Sequence, residues 1–131
     1  MNFLIDHNLG GQAEILFGNI ASQGWLELLP ICFVTFKEIN LVIDSSDRVV
    51  WRIAQENSDD FAHSQPKLKG EDSLEQVLRE ENTADAFPVI TIGDANRLLS
   101  DRVYRNRCVD HILAISLDIE NWMGTGRLFV P

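Results

Sequence analysis

Short apolar runs recur along the chain, separated by segments in which apolar residues have helical spacing. Residues 3–5 are wholly apolar, which is typical of a strand buried on both faces of a parallel sheet. Runs at residues 31–36 and 87–92 predict two more strands. Residues 127–130, after the glycine-rich turn at 124–126, predict a last one.

The segments between these runs predict amphipathic helices. The first has an apolar face at i, i+3, i+4 and i+7, formed by Ala13, Leu16, Phe17 and Ile20. The next follows the capping residues 45–47 and has the apolar residues Val49, Val50, Ile53 and Ala54. A short helix is predicted from residue 73, and a longer region after residue 94 with a break near residues 100–101.

Alternating strands and helices predict an α/β fold, with three layers around a central, mainly parallel sheet. The 131 residues fit a single domain, residues 1–131. Residues 58–72 are rich in charged and polar side chains, and we expect a long loop there, the most mobile part of the chain, with at most a weak strand near Phe61.

Composition restricts the class of protein further. Hydrophobic residues make up 45% of the chain, enough for a real core, and the formal net charge is -9. Such a surface repels nucleic acid and anionic membranes, which argues against a non-specific DNA coat but does not exclude a nuclease with an acidic site. We expect no membrane partner, no signal peptide and a cytoplasmic location, with Cys32 and Cys108 as small buried hydrophobes.

Several enzyme classes lack their defining motifs in this sequence. There is no phosphate-binding loop, no dinucleotide-binding glycine motif and no nucleophile elbow. The three histidines, His7, His63 and His111, do not have the spacing of a zinc site.

Several aspartates lie at the carboxyl ends of predicted strands, where functional sites form in parallel sheets. Asp6 ends the first strand, Asp94 ends the strand at 87–92, and Asp47 opens a helix, with Asp44 as its near rival. Because the carboxyl ends of parallel strands share one edge, these acids are candidates to converge and hold a divalent cation that activates water. The alternative is that they are turn residues and helix caps.

Two of these positions resemble motifs of the compact PIN-like nuclease domains. Residues 3–9, with Asp6 and Asn8, resemble the family's first motif, in which a strand ends in a metal-binding aspartate of D-x-N-L type. Residues 46–54, beginning Ser-Asp-Arg, resemble its second motif, an acidic residue opening an amphipathic helix. The third motif is degenerate: residues 58–67 carry no acid at the expected place, and Asp94 is the candidate to compensate.

The resemblance implies a metal-dependent ribonuclease, a toxin or an RNA-processing protein. Asp6 and Asp47 would be ligands of Mg²⁺ or Mn²⁺, Asn8 would support the site, and an antitoxin or regulatory protein would be a partner. PIN-like proteins often pair, and the large apolar side chains near the C-terminal end also favour a homodimer: Trp122, Met123, Phe129 and Val130.

Basic residues near these acids are candidates to contact RNA phosphates. They are Arg97, Arg102 and Arg105, with Arg107 nearby, and Lys67 and Lys69 in the expected loop. The alternative for the arginines is a solvated helix face paired with Asp101 and Asp110. The alternative for the whole chain is a catalytically weak or inactive binding or regulatory module of the same fold.

Overall fold

The computed structural model describes residues 2–57, 60–64 and 74–131. Within these residues the strands are β1 (Asn2–Ile5), β2 (Cys32–Thr35), β3 (Asp60–Ser64), β4 (Val89–Ile92) and β5 (Arg127–Val130). The α-helices are α1 (Gly10–Ser22), α2 (Trp25–Leu28), α3 (Asp47–Glu56), α4 (Leu74–Glu81), α5 (Ala95–Ser100) and α6 (Arg102–Leu117). Single 3₁₀ turns lie at His7–Leu9, Lys37–Ile39 and Ile119–Asn121.

The five strands form one sheet in the order β2-β1-β3-β4-β5, and each neighbouring pair is parallel. Helices intervene between successive strands, as parallel connections require. The prediction of a mixed α/β chain with parallel strands is confirmed. Strand β1 therefore pairs with β2 and β3, whereas β2 and β5 are the two edges.

Strand side chains alternate between two hydrophobic clusters, one for each side of the sheet. Phe3 and Ile5 of β1 belong to the cluster that also holds buried residues of α1 and α6. Leu4 and Val89 belong to the other, with buried residues of α3 and α4. Side chains of β4 are buried along its whole length. The candidate acids thus stand at the ends of a firmly packed scaffold.

Strand β3 lies inside the stretch for which the sequence predicts a loop. It confirms the weak strand near Phe61, which is all that the sequence Asp-Phe-Ala-His-Ser, without an apolar run, indicates. Hydrogen bonding to β1 on one side and β4 on the other stabilises this strand, although its local strand propensity is low. The rest of residues 58–72, with Lys67, Lys69 and the expected mobility, lies outside the described residues.

Three local predictions differ from the structure. The short helix α2 lies where the sequence pattern predicts no helix. Val49, predicted on the buried face of α3, is exposed, and Trp51 is buried in its place because α3 docks on the sheet through Val50, Trp51 and Ala54. Cys32 is exposed because it lies on the edge strand β2, so its predicted burial is wrong, while that of Cys108 is confirmed.

The predicted break between α5 and α6 is real, and Asp101 explains it. Its carboxylate accepts a hydrogen bond from the Tyr104 N–H at 3.1 Å and so caps α6. None of the helices in the described ranges combines the length and apolarity needed to cross a membrane.

Candidate functional site

Asp6 follows directly on β1 at the carboxyl edge of the sheet. Its N–H donates to the Ala62 carbonyl at 2.9 Å, which extends the β1–β3 pairing to this residue. Burial, and then the charge of Asp47, raise the pKa of the Asp6 carboxyl above its ordinary value. The backbone N–H groups of Asn8 and His7, which donate to the carboxylate, and the His7 side chain act in the opposite direction. Asp6 is therefore a desolvated acid held in place by its own turn.

Asp47 reaches the same region from α3. Ser46 caps this helix by accepting the Val49 N–H, as predicted for a capping serine, so Asp47 is the first helical residue. The Oδ2 atom of Asp47 accepts the Leu74 N–H at 3.1 Å, which ties the start of α4 to the start of α3. Since Asp47 raises the pKa of Asp6, the two carboxylates act on each other as like charges.

A network of ion pairs fixes α4 against α3. The guanidinium of Arg48 lies 2.5 Å from a Glu81 carboxylate oxygen and 3.3 Å from Glu80, and Arg52 lies 2.7 Å from Glu81. Several charges that share partners hold a geometry better than one exposed pair does. This network therefore keeps Leu74 within hydrogen-bonding distance of Asp47.

A cleft of about 530 Å³ opens beside Asp6 at the same edge. Its walls are mainly apolar, with Asp6, His7 and Lys37 as the ionisable side chains among them. Val42 and Ile43 form the outer wall and are 64% and 63% exposed. A cleft of this size, with few polar groups and an acid of raised pKa, is the usual setting of a binding or active site.

Asp94 stands apart from this pair. Its carboxylate accepts the Arg97 N–H at 3.2 Å and caps α5, and its own N–H donates to the Tyr104 hydroxyl. Strand β3 lies between β1 and β4, so Asp94 does not follow a strand adjacent to that of Asp6. Residues 2–57, 60–64 and 74–131 contain no group of three or more metal-ligating side chains.

Asn8 and Asp44, two further candidates from the sequence, both have exposed side chains. The Asn8 side chain is exposed, and its contribution to Asp6 comes from the backbone N–H. Asp44, the rival of Asp47, is exposed in a turn.

Two of the three arginines proposed to contact RNA are engaged within the protein. Arg97 pairs with Asp101 at 2.8 Å and lies 4.5 Å from the Tyr104 ring centroid. Arg105 donates to the carbonyl oxygens of Leu98 and Leu99 and so closes the end of α5. Arg102 is exposed and lines a separate groove between α1 and α6. The pairing of Arg97 with Asp101 agrees with the alternative of a solvated, ion-paired face.

Sequence reasoning missed two basic residues near the acids. Lys37 lines the cleft from the turn after β2, and Arg127 of β5 interacts electrostatically with Asp47. The cleft itself had one signal in the sequence: the adjacent apolar pair Val42-Ile43 within an otherwise irregular segment. Arg127 had none, because its neighbourhood depends on the strand order.

Comparisons with known proteins add no relative to this description. No protein-family model, no curated protein and no solved structure matches the chain. The function must therefore be argued from the geometry alone.

Proposed function

We propose that the protein is a metal-dependent ribonuclease with a three-layer PIN-like architecture, cleaving phosphodiester bonds at the Asp6–Asp47 pair. The observation that supports this most directly is the pairing itself. Two carboxylates from separate elements interact electrostatically at the carboxyl edge of a parallel sheet, and one of them, the partly buried Asp6, lines a cleft large enough for a nucleotide.

The donor set fits a small divalent cation. Mg²⁺ prefers hard oxygen ligands and is commonly held by one or two carboxylates, with waters and substrate phosphate oxygens completing its shell. Asp6 and Asp47 would supply the carboxylates. Burial, and then repulsion by Asp47, raise the pKa of Asp6, and a bound cation would offset both. When bound, Mg²⁺ or Mn²⁺ supplies Lewis acidity and lowers the pKa of water.

Other residues of the cleft beside Asp6 would contact the substrate. Lys37, on the cleft wall, is placed to attract a phosphate group. Exposed apolar side chains of the same wall, Val42 and Ile43, exclude water and contact an unstacked base. The N–H groups of His7 and Asn8 hold Asp6 in one orientation during these steps. Single-stranded RNA is the substrate class that such a cleft accommodates.

The proposal includes the partners that accompany this class of nuclease. RNA is the substrate, an antitoxin or regulatory protein is a further partner, and the protein acts as a cytoplasmic homodimer. Of the proposed RNA contacts, Arg102 is exposed, and Arg97 is exposed although it pairs with Asp101. Asp94 remains the proposed third acid, which would have to leave its position as the cap of α5.

One observation favours a second candidate, a catalytically weak or inactive binding module. The described residues contain no group of three metal-ligating side chains, and Asp94 caps α5. A protein with this incomplete set would use the same mainly apolar cleft to bind a partner without cleaving it.

A cleavage assay on a mixed pool of single-stranded RNA, with Mn²⁺ and with excess chelator, separates the two candidates. We expect wild-type cleavage that the chelator abolishes. Loss of one ligand costs several kcal/mol of transition-state stabilisation, so Asp6→Asn and Asp47→Asn should each reduce the rate by about 100-fold or more. Asp44→Asn, an exposed acid nearby, is the matched control and should cleave normally.

Two other outcomes of the cleavage assay would contradict part of the proposal. Equal cleavage by wild type and Asp6→Asn would mean a contaminating nuclease and would exclude this site. Absence of cleavage in every sample, with all proteins folded, would favour the binding module.

A further inference from the structure

A second groove, of about 630 Å³, lies between α1 and α6 and shares no lining residue with the cleft beside Asp6. Among its described lining residues, Ile15 has the one apolar side chain, and the others apart from Gly18 carry amides, a hydroxyl or charged groups. A protein segment usually docks through apolar anchors. The lining of this α1–α6 groove therefore favours a strongly polar, hydrated ligand.

Gly18 leaves the middle of the groove open. It lies inside α1, where glycine destabilises a helix relative to alanine. It is not among the glycines with positive φ, and a Cβ at this residue would meet no atom within 4 Å. Neither the backbone conformation nor packing therefore requires glycine here. The missing side chain provides space in the groove.

The facing wall presents one row of polar side chains from α6. Arg102, Asn106 and Asp110 follow one another at intervals of four residues, which places them on the same face of the helix, and all three are exposed. In the described part of the chain, the side chains of Arg102 and Asp110 make no hydrogen bond or ion pair. Both are available to a ligand.

A chain of amides connects this row to α1. Gln23 donates through Nε2 to Asn19 Oδ1, and Asn19 Nδ2 donates to Asn106 Oδ1 at 3.2 Å. Since each amide donates in the same direction, the Nδ2 group of Asn106 is the donor at the end of the chain. Arg105 is fixed on the same wall by its bonds to the carbonyl oxygens of Leu98 and Leu99.

These groups match different parts of a ribonucleotide. The guanidinium of Arg102 and the amide of Asn106 are donors of the kind that bind phosphate oxygens. A carboxylate repels phosphate, so a phosphate alone does not use Asp110. A ribose hydroxyl can donate to a carboxylate, and the 2′-hydroxyl is the group by which a protein distinguishes RNA from DNA.

We propose that the α1–α6 groove binds the sugar–phosphate backbone of single-stranded RNA, with Arg102 and Asn106 on phosphate and Asp110 on the ribose 2′-hydroxyl. The choice of RNA rests on the proposed function, but this binding needs neither the Asp6–Asp47 pair nor a cation. The charge distribution supports it. The chain has a formal net charge of -9, whereas residues 97–107 carry four arginines and one aspartate, so a polyanion can approach at this end of α6.

Fluorescence anisotropy with a labelled oligouridylate and its deoxyuridine counterpart tests the groove. Excess chelator is present, so that metal-dependent cleavage does not occur. We expect wild type to bind the RNA more tightly than the DNA. Arg102→Gln should weaken binding of both by about fivefold and reduce the salt dependence of Kd. Asp110→Asn should remove most of the preference for RNA.

Gly18→Met tests the space in the groove without removing any polar group. Methionine favours helix more than glycine does, so the thermal midpoint should not fall. The added side chain should nevertheless weaken RNA binding by about fivefold or more, because it occupies the place of the ligand. Ala21→Met, at an exposed position of α1 outside the groove lining, is the matched control and should bind as wild type does.

Two further controls match the changes in charge. Arg79→Gln, at an exposed position of α4, should leave both affinities unchanged, and Asp85→Asn, at an exposed position of a turn, should leave the preference for RNA unchanged. Wild-type binding by both Arg102→Gln and Gly18→Met would overturn the groove. Equal affinity of wild type for RNA and DNA would overturn the role of Asp110.

Failure of this inference is distinguishable from failure of the proposed function. A wild-type protein that binds no RNA in chelator overturns the groove, whereas cleavage with Mn²⁺ can still be observed. A protein that binds RNA through the groove but cleaves none retains this inference and loses the nuclease.

Discussion

Asp6 shows how much of a site a single residue's surroundings determine. Its place at the end of a wholly apolar strand is readable from the sequence, as is that of Asp47 at a helix start after a capping serine. The carboxylates of Asp6 and Asp47 repel each other because the end of β1 and the start of α3 lie at the same edge of the sheet. The position of Asp94 was not readable in the same way, because the strand order places β3 between β1 and β4.

The raised pKa of Asp6 predicts a dependence of stability on pH. A folded-state pKa above the ordinary value of 3.8 means that ionisation costs the folded state more than the unfolded one. The stability that protonated Asp6 contributes is complete below about pH 3.8 and is lost as the pH rises through the raised pKa. Asp6→Asn should therefore be more stable than wild type at pH 7 without cation.

Urea unfolding of both proteins between pH 3.5 and 7, in excess chelator, checks this prediction. The difference in unfolding free energy between Asp6→Asn and wild type should grow with pH. A difference that stays constant over this range would mean that the Asp6 carboxyl is not destabilised by its surroundings.

Individual elements were predictable wherever local chemistry alone determines them. The period of α1, the cap of α3 at Ser46 and the break before α6 are all visible in the sequence. Two other features depend on distant residues, and the sequence indicates only the first of them, as a weak strand near Phe61. Strand β3 forms because β1 and β4 pair with it, and the first turn of α4 is held by Asp47 of a different helix.

The turn between α6 and β5 offers a test at the scale of an element. Gly124 has φ +81°, and a Cβ there would lie 2.9 Å from the backbone of Ala84. Gly126 has a similar φ of +88°, but the nearest atom to its Cβ position, on Asn82, is 3.8 Å away. Gly124→Ala should thus lose more than about 2 kcal/mol of stability, while Gly126→Ala loses about 1 kcal/mol.

Denaturant unfolding of the two variants gives the comparison directly. Both variants place alanine in the left-handed conformation, and only Gly124→Ala also has a steric clash. Equal losses would show that the backbone at residue 84 moves away, and that this turn does not fix the entry into β5.

At the scale of the whole molecule, the sheet presents two different edges. Edge strand β5 carries Phe129, which is 48% exposed, whereas Val130 is fully buried and Trp122 packs against the core. The apolar surface offered for a homodimer is therefore smaller than the sequence indicates. Near the other edge, Leu28 is 78% exposed.

The homodimer remains a prediction, and we expect Phe129 to lie at the centre of its interface. Light scattering at micromolar concentration should return twice the 14.8 kDa chain mass, and Phe129→Asp should return a single chain. Leu28→Asp, an equally drastic change near the opposite edge, is the matched control and should remain dimeric. A monomeric wild type would exclude the homodimer, and a monomeric Leu28→Asp would move the interface to the other edge.

The place of β1 in the sheet has a consequence for the order of events during folding. The first strand along the chain becomes an interior strand, yet neither neighbour is local: β2 follows after two helices and β3 only after α3 as well. Loop closure over these separations precedes any gain from pairing, so refolding should be slow for a chain of this length. On the ribosome, the first strand emerges long before its partners, and a chaperone that shields short apolar segments would meet it first.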